Sequence, residues 1–98
     1  LDITTGDNRD VVTVANANIE GDLDVTTGDA TDAVSLSNVS AAGDFDVRLG
    51  DGNYDTLAVV NCSSPDASFD GGDNVGDTLV RVHNHFTNET DSGFQFVT

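Results

Sequence analysis

A shift of 22 residues lays this chain onto itself, and a repeat of fixed period limits the available folds more than any local propensity does. Leu1-Asp2-Ile3-Thr4-Thr5-Gly6-Asp7 falls on Leu23-Asp24-Val25-Thr26-Thr27-Gly28-Asp29, and then on Phe45-Asp46-Val47-Arg48-Leu49-Gly50-Asp51. In the clearest copy, Leu23 and Val25 alternate with polar residues, a Gly-Asp turn follows, and Val34, Leu36 and Val39 complete the apolar set. Period-two alternation with many β-branched residues marks half-buried strands and not helices. Stacked parallel copies would lie about 4.8 Å apart. The predicted fold is all-β, a right-handed parallel β-helix or β-solenoid forming a single domain over residues 1–98. Its rungs fall at about 1–22, 23–44, 45–66 and 67–93, with a partial rung at 94–98. A β-sandwich whose strands happen to repeat is the rival, and the column-by-column match counts against it.

The copies lose regularity toward the C-terminus. The third turn, Gly50 to Asp55, is one residue longer than those before it, and Leu57, Val59 and Cys62 take the columns of Val34, Leu36 and Val39. Pro65 is expected in a corner, where it takes no ladder hydrogen bond away. Arg81 falls on the column of Leu36 and Val59. Either the phase slips there, turning Val80 and Val82 inward, or Arg81 has a partner. A long corner from Asn84 to Gly93 is expected next, before Phe94 to Thr98 restarts the first strand.

Charge excludes some functions. Sixteen Asp and two Glu face three Arg and no Lys, giving a net charge of −15. Nucleic acids and anionic membrane surfaces are bound through basic patches, so neither is an expected partner. No apolar run approaches the roughly 20 residues of a membrane-spanning helix. The chain has no Met and opens inside the repeat, as expected of a processed protein or a slice of a longer one. Its one cysteine, Cys62, excludes an internal disulfide and reads as a small core hydrophobe.

The Asp excess is concentrated in the turns. The motif Gly-Asp-x-x-Asp, lengthened by one residue in the third and fourth rungs, supplies Asp7 and Asp10, Asp29 and Asp32, Asp51 and Asp55, and Asp73 and Asp77. In a solenoid these become two carboxylate ladders. Two such charges about 4.8 Å apart repel by about 0.9 kcal/mol even at the dielectric of water. Calcium would offset this, because it takes six to eight oxygens from carboxylates and turn carbonyls. The alternative is that the Asp side chains cap their own turns and fan into solvent. The sequence leaves both open, and all eight residues are candidate calcium ligands.

Gly50-Asp51-Gly52-Asn53-Tyr54-Asp55-Thr56-Leu57 and Gly71-Gly72-Asp73-Asn74-Val75-Gly76-Asp77-Thr78-Leu79 resemble the calcium-binding nonapeptide repeats of RTX toxins and proteases. The present period is 22 and not nine, and the second Gly is usually missing. Over nearly the whole chain, the units resemble those of long bacterial β-strand-repeat surface proteins. That resemblance implies secretion, a microbial cell surface and a structural or adhesive role, with no catalytic residues.

Asn16, Asn38 and Asn61 share one column, as expected of an asparagine ladder at a bend. Asn38, Asn61 and Asn88 also begin glycan acceptor triplets. His83 and His85 would share a strand face, without the third ligand a metal needs. Paired Asp residues could serve polysaccharide cleavage, but nearly every rung has them and none stands out.

The sequence thus predicts a non-enzymatic structural subunit of an extracellular filament, surface layer or adhesin stalk, stabilised by calcium. Both ends are expected to offer open apolar edges, so the partner is a second copy stacked head to tail or neighbouring rungs of a longer chain. Glycans are the other candidate partner. The alternative is a calcium-dependent carbohydrate- or surface-binding module, for which Tyr54 is the one exposed aromatic in view; an enzyme on a β-helix ranks below both.

Overall fold

The alternating segments become strands that pair in parallel with their copies one rung away. The computed structural model describes residues 1–98 and contains no helix. Its strands are β1 (Asp2–Thr4), β2 (Val11–Ile19), β3 (Leu23–Thr26), β4 (Ala33–Ala41), β5 (Phe45–Arg48), β6 (Thr56–Val60), β7 (Ser63–Asp70), β8 (Thr78–Val82), β9 (His85–Ser92) and β10 (Phe96–Val97). Leu23 pairs with Phe45 and Val25 with Val47 between β3 and β5, while Val12 pairs with Val34 and Val14 with Leu36 between β2 and β4. Every pairing is parallel, and the chain is a β-solenoid of about 4 turns.

Each rung has three runs. In β2 and β4 the pairing breaks at Asn16 and Asn38, whose φ of 54° turns the chain onto a new face. Asn61 and His83 repeat this left-handed conformation in the next two rungs. Asparagine adopts it more readily than most residues, which explains the column.

The three runs enclose a thin core. Leu23, Val25, Val34, Leu36, Val39, Phe45, Val47, Leu57, Val59, Cys62, Phe69 and Leu79 are buried in the columns the repeat assigned them. Fully burying one such aliphatic or aromatic side chain is worth about 1.5–3 kcal/mol. Phe86 follows Ala41 and Ser64 in its column and packs beside the two core phenylalanines. Its ring packs at 5.6 Å from Phe45 and 5.7 Å from Phe69, which are 6.1 Å from each other.

The long third turn is compensated within its own rung. Val34 pairs with Leu57 and Ser40 with Ser63, a spacing of 23, whereas Phe45 pairs with Ala67, a spacing of 22. The corner before Ala67 therefore gives back one residue. It does so by running straight through, so that Pro65 lies inside strand β7 and not in the separate corner expected of it. Pro65 has no partner in the ladder, since pairing with β9 skips from Ser64 to Asp66.

The C-terminal rungs differ from the sequence expectation. Residues 85–92, expected as corner, form β9 and keep the 22-residue register: Ala67 pairs with Glu89 and Phe69 with Asp91. The fourth rung thus ends near residue 88, and the last partial rung begins at Glu89, not at Phe94. Phe96 and Val97 pair with Thr78 and Leu79, on the second run of the rung and not the first. The reason is a shortened turn: three residues carry Ser92 to Gln95, where seven carry Asp70 to Asp77. β8 keeps phase, with Val59 opposite Arg81.

Candidate functional site: the two aspartate ladders

The Gly-Asp turns stack so closely that the backbone decides which residues they accept. A Cβ added to Gly28 would lie 2.1 Å from the carbonyl oxygen of Gly6, and one added to Gly50 would lie 2.2 Å from that of Gly28. From the second rung on, glycine is required in this column because the rung below occupies the space of a side chain.

Beyond the glycines, the two Asp columns have different environments. Asp7, Asp29, Asp51 and Asp73 are exposed. Asp32, Asp55 and Asp77 are sealed from solvent, and Asp10 is half-buried at the open end. The inner column is a hydrogen-bonded ladder. The Asp10 N–H donates to Asp32 Oδ1 at 2.8 Å, the Asp32 N–H to Asp55 Oδ1 at 2.7 Å, and the Asp55 N–H to Asp77 Oδ1 at 2.8 Å. Gln95 ends the series by accepting the Asp77 N–H on Oε1 at 2.9 Å. Each carboxylate satisfies a backbone donor of the adjacent rung, so the inner Asp residues tie successive turns together inside the stack and do not cap their own turns and fan into solvent.

The structure therefore does not bring all eight candidate ligands into one shell. No three Asp, Glu, His or Cys side chains converge as a metal-holding group. One oxygen of each inner carboxylate is taken by a backbone donor and these side chains are sealed from solvent, so the outer column is the one open to a hydrated cation.

Burial also has an electrostatic result. The Asp55 carboxyl is pushed up to about 6, first by desolvation and then by the charges of Asp77 and Asp32, against the lowering effect of its backbone hydrogen bond. Asp32 Oδ2 and Asp55 Oδ2 are buried without a hydrogen-bond partner, whereas Asp77 Oδ2 accepts from Asn74 Nδ2 at 3.4 Å.

A second charged cluster closes the C-terminal end of the core. Arg81 stands in the column of Val59, and Glu89 and Asp91 follow Ala67 and Phe69 in theirs. The Arg81 guanidinium bonds Glu89 and lies 2.8 Å from Asp91 Oδ2. Of the two sequence alternatives, Arg81 having a partner is the one realised. This end accordingly carries charge on β8 and β9, while Phe96 and Val97 of β10 remain 58% and 45% exposed as the apolar edge expected there. Burial first, then the hydrogen bond and charge of Glu89, push the Asp91 carboxyl up to about 6. Arg81→Leu would leave two carboxylates facing one another. It should lower stability at pH 7.5 by about 1–2 kcal/mol in urea titrations, given a partly solvated cluster. Most of that loss should disappear by pH 5, once the pair has taken up a proton. A loss equal at both pH values would show that the cluster does not act through charge.

The asparagine column forms the expected ladder. Asn38 Nδ2 donates to Asn16 Oδ1 at 3.0 Å, and Asn61 Nδ2 to Asn38 Oδ1 at 3.3 Å. The nitrogens that would carry glycans at Asn38 and Asn61 are thus already hydrogen-bonded. Asn88 is exposed, but lies in β9 and not in a long corner, with Nδ2 2.8 Å from Asp66 Oδ1. His83 and His85 are exposed. Tyr54 is 66% exposed, and its ring covers Gly76, where a Cβ would lie 2.3 Å from Cδ1.

Gln95 and the pair Glu89 and Asp91 were missed from sequence. Continuing the count of 22 past Ala67 and Phe69 would have found the pair; the shortened last turn hides Gln95. No protein-family model, curated protein or solved structure matches the chain.

Proposed function

We propose that the chain is a non-enzymatic structural unit of an extracellular or cell-surface assembly of microbial origin, joined to neighbouring rungs through the edge of its first rung. One observation carries this reading: β2, a nine-residue strand, pairs with β4 on one side and with nothing on the other. Leu1, in the inward column of Leu23 and Phe45, is left 54% exposed at the same edge. An open edge of this kind pairs readily with another strand unless it is covered.

Head-to-tail stacking on the opposite end would set Val12 over Val97 but also Leu1 over Glu89 and Ile3 over Asp91, so that part of the contact would press alkyl groups against carboxylates. The reading therefore assigns contact to the N-terminal edge. The covering rung comes from polypeptide preceding Leu1 or from a second copy. Sedimentation across a concentration series, with the intact mass of the native protein, separates the two sources. A native protein of only these 98 residues that stays monomeric throughout would overturn the proposal.

Calcium on the outer column belongs to the same reading, because Asp7, Asp29, Asp51 and Asp73 repeat a like charge at every rung. Millimolar calcium should raise the melting midpoint by about 5 °C over a sodium control of equal ionic strength. Identical midpoints would remove calcium and leave a salt-screened ladder.

A further inference from the structure

We propose that the inner aspartate ladder is a proton-binding site, with one proton held at Asp55, so that acid stabilises the solenoid. Asp55 is fully buried in the middle of the ladder, between Asp32 of the rung below and Asp77 of the rung above. Its Oδ1 is fixed by the Asp32 N–H, but its Oδ2 has no donor. Asp32 Oδ2 is likewise orphaned, in a residue only 2% exposed. Two neighbouring buried carboxylates therefore present unpartnered acceptor oxygens, each denied water. No cation answers them. The charged groups acting on Asp55 are Asp32 and Asp77 alone, while Arg48 pairs with Asp24 and Arg81 with Glu89 and Asp91.

A proton on Asp55 removes one charge from the stack and turns one orphan acceptor into a donor. The ladder tolerates a neutral group, because Gln95 performs the same acceptor role at its last step with an amide. The folded chain then keeps a proton that the unfolded chain releases near 3.8, and loses it only near 6. Stability from this group is thus fully present at the acid end, falls as pH rises from about 4 to about 6, and is level above that. Two pH units correspond to about a 100-fold change in the unfolding constant.

The test compares urea unfolding of the full chain with Asp55→Asn from pH 4 to 7.5, in chelator, so that the outcome is independent of calcium. The asparagine keeps the Oδ1 acceptor and places an N–H donor where the orphan oxygen stands. The unaltered chain should lose about 100-fold in folding constant relative to the variant across this range. The comparison cancels the other carboxylates, Asp91 included. Parallel pH profiles would overturn the proposal. The 13Cγ resonance of Asp55 in the unaltered chain gives a second reading even if the variant does not fold. A midpoint near 6 supports proton retention, and one near 4 overturns it.

Discussion

Gly50→Ala should abolish the fold or cost more than about 4 kcal/mol, whereas Gly6→Ala in the same column should change stability by less than about 0.5 kcal/mol. Both place a methyl group at the same point of the repeat. In Gly50 it would meet the Gly28 carbonyl at 2.2 Å for oxygen and 2.9 Å for carbon, both backbone atoms that cannot swing aside. The φ of +85° adds strain for any L side chain. In Gly6 nothing lies within 4 Å. A domain of this size has about 5–15 kcal/mol in total, so the Gly50 variant should lack a cooperative thermal transition. Comparable circular-dichroism melts for the two variants would mean that the rungs do not approach this closely.

Phe69→Ala should be the most damaging truncation in the core, at about 3–5 kcal/mol in urea unfolding. Phe69 is fully buried and edge-on to both Phe45 and Phe86. Its neighbours cannot readily collapse into the space, because Phe45 is held in a strand paired on both sides and Phe86 in one whose register is fixed by β7. A cost near 1 kcal/mol would imply that the core is loose enough to repack.

The first three rungs were legible because a core column and a period of 22 report the same geometry twice. Val25 and Val47, or Leu36 and Val59, match in sequence and pair in space. The last rung was not legible, because apolar similarity misled where register did not. Phe94 to Thr98 resembles Leu1 to Thr5 in pattern, but the chain keeps counting by backbone hydrogen bonds, and that count puts Glu89 beside Ala67. The Asp motif showed which residues stack but not which way they point. The inner or outer position of each Asp depends on where the turn leaves the core, and the sequence does not display that angle. Asp7 and Asp10 look equivalent on paper, yet Asp7 is exposed and Asp10 is half-buried at the start of the inner ladder.

The self-correcting third rung also has a practical meaning. One extra residue between Asp51 and Asp55 leaves Leu57 and Phe69 in place, and a turn four residues shorter leaves Val97 beside Leu79. Corner length is thus decoupled from the alignment of the faces. A foreign peptide grafted beside exposed Tyr54 would hang from the solenoid as an appendage, and the same scaffold could display a series of such grafts at fixed axial height.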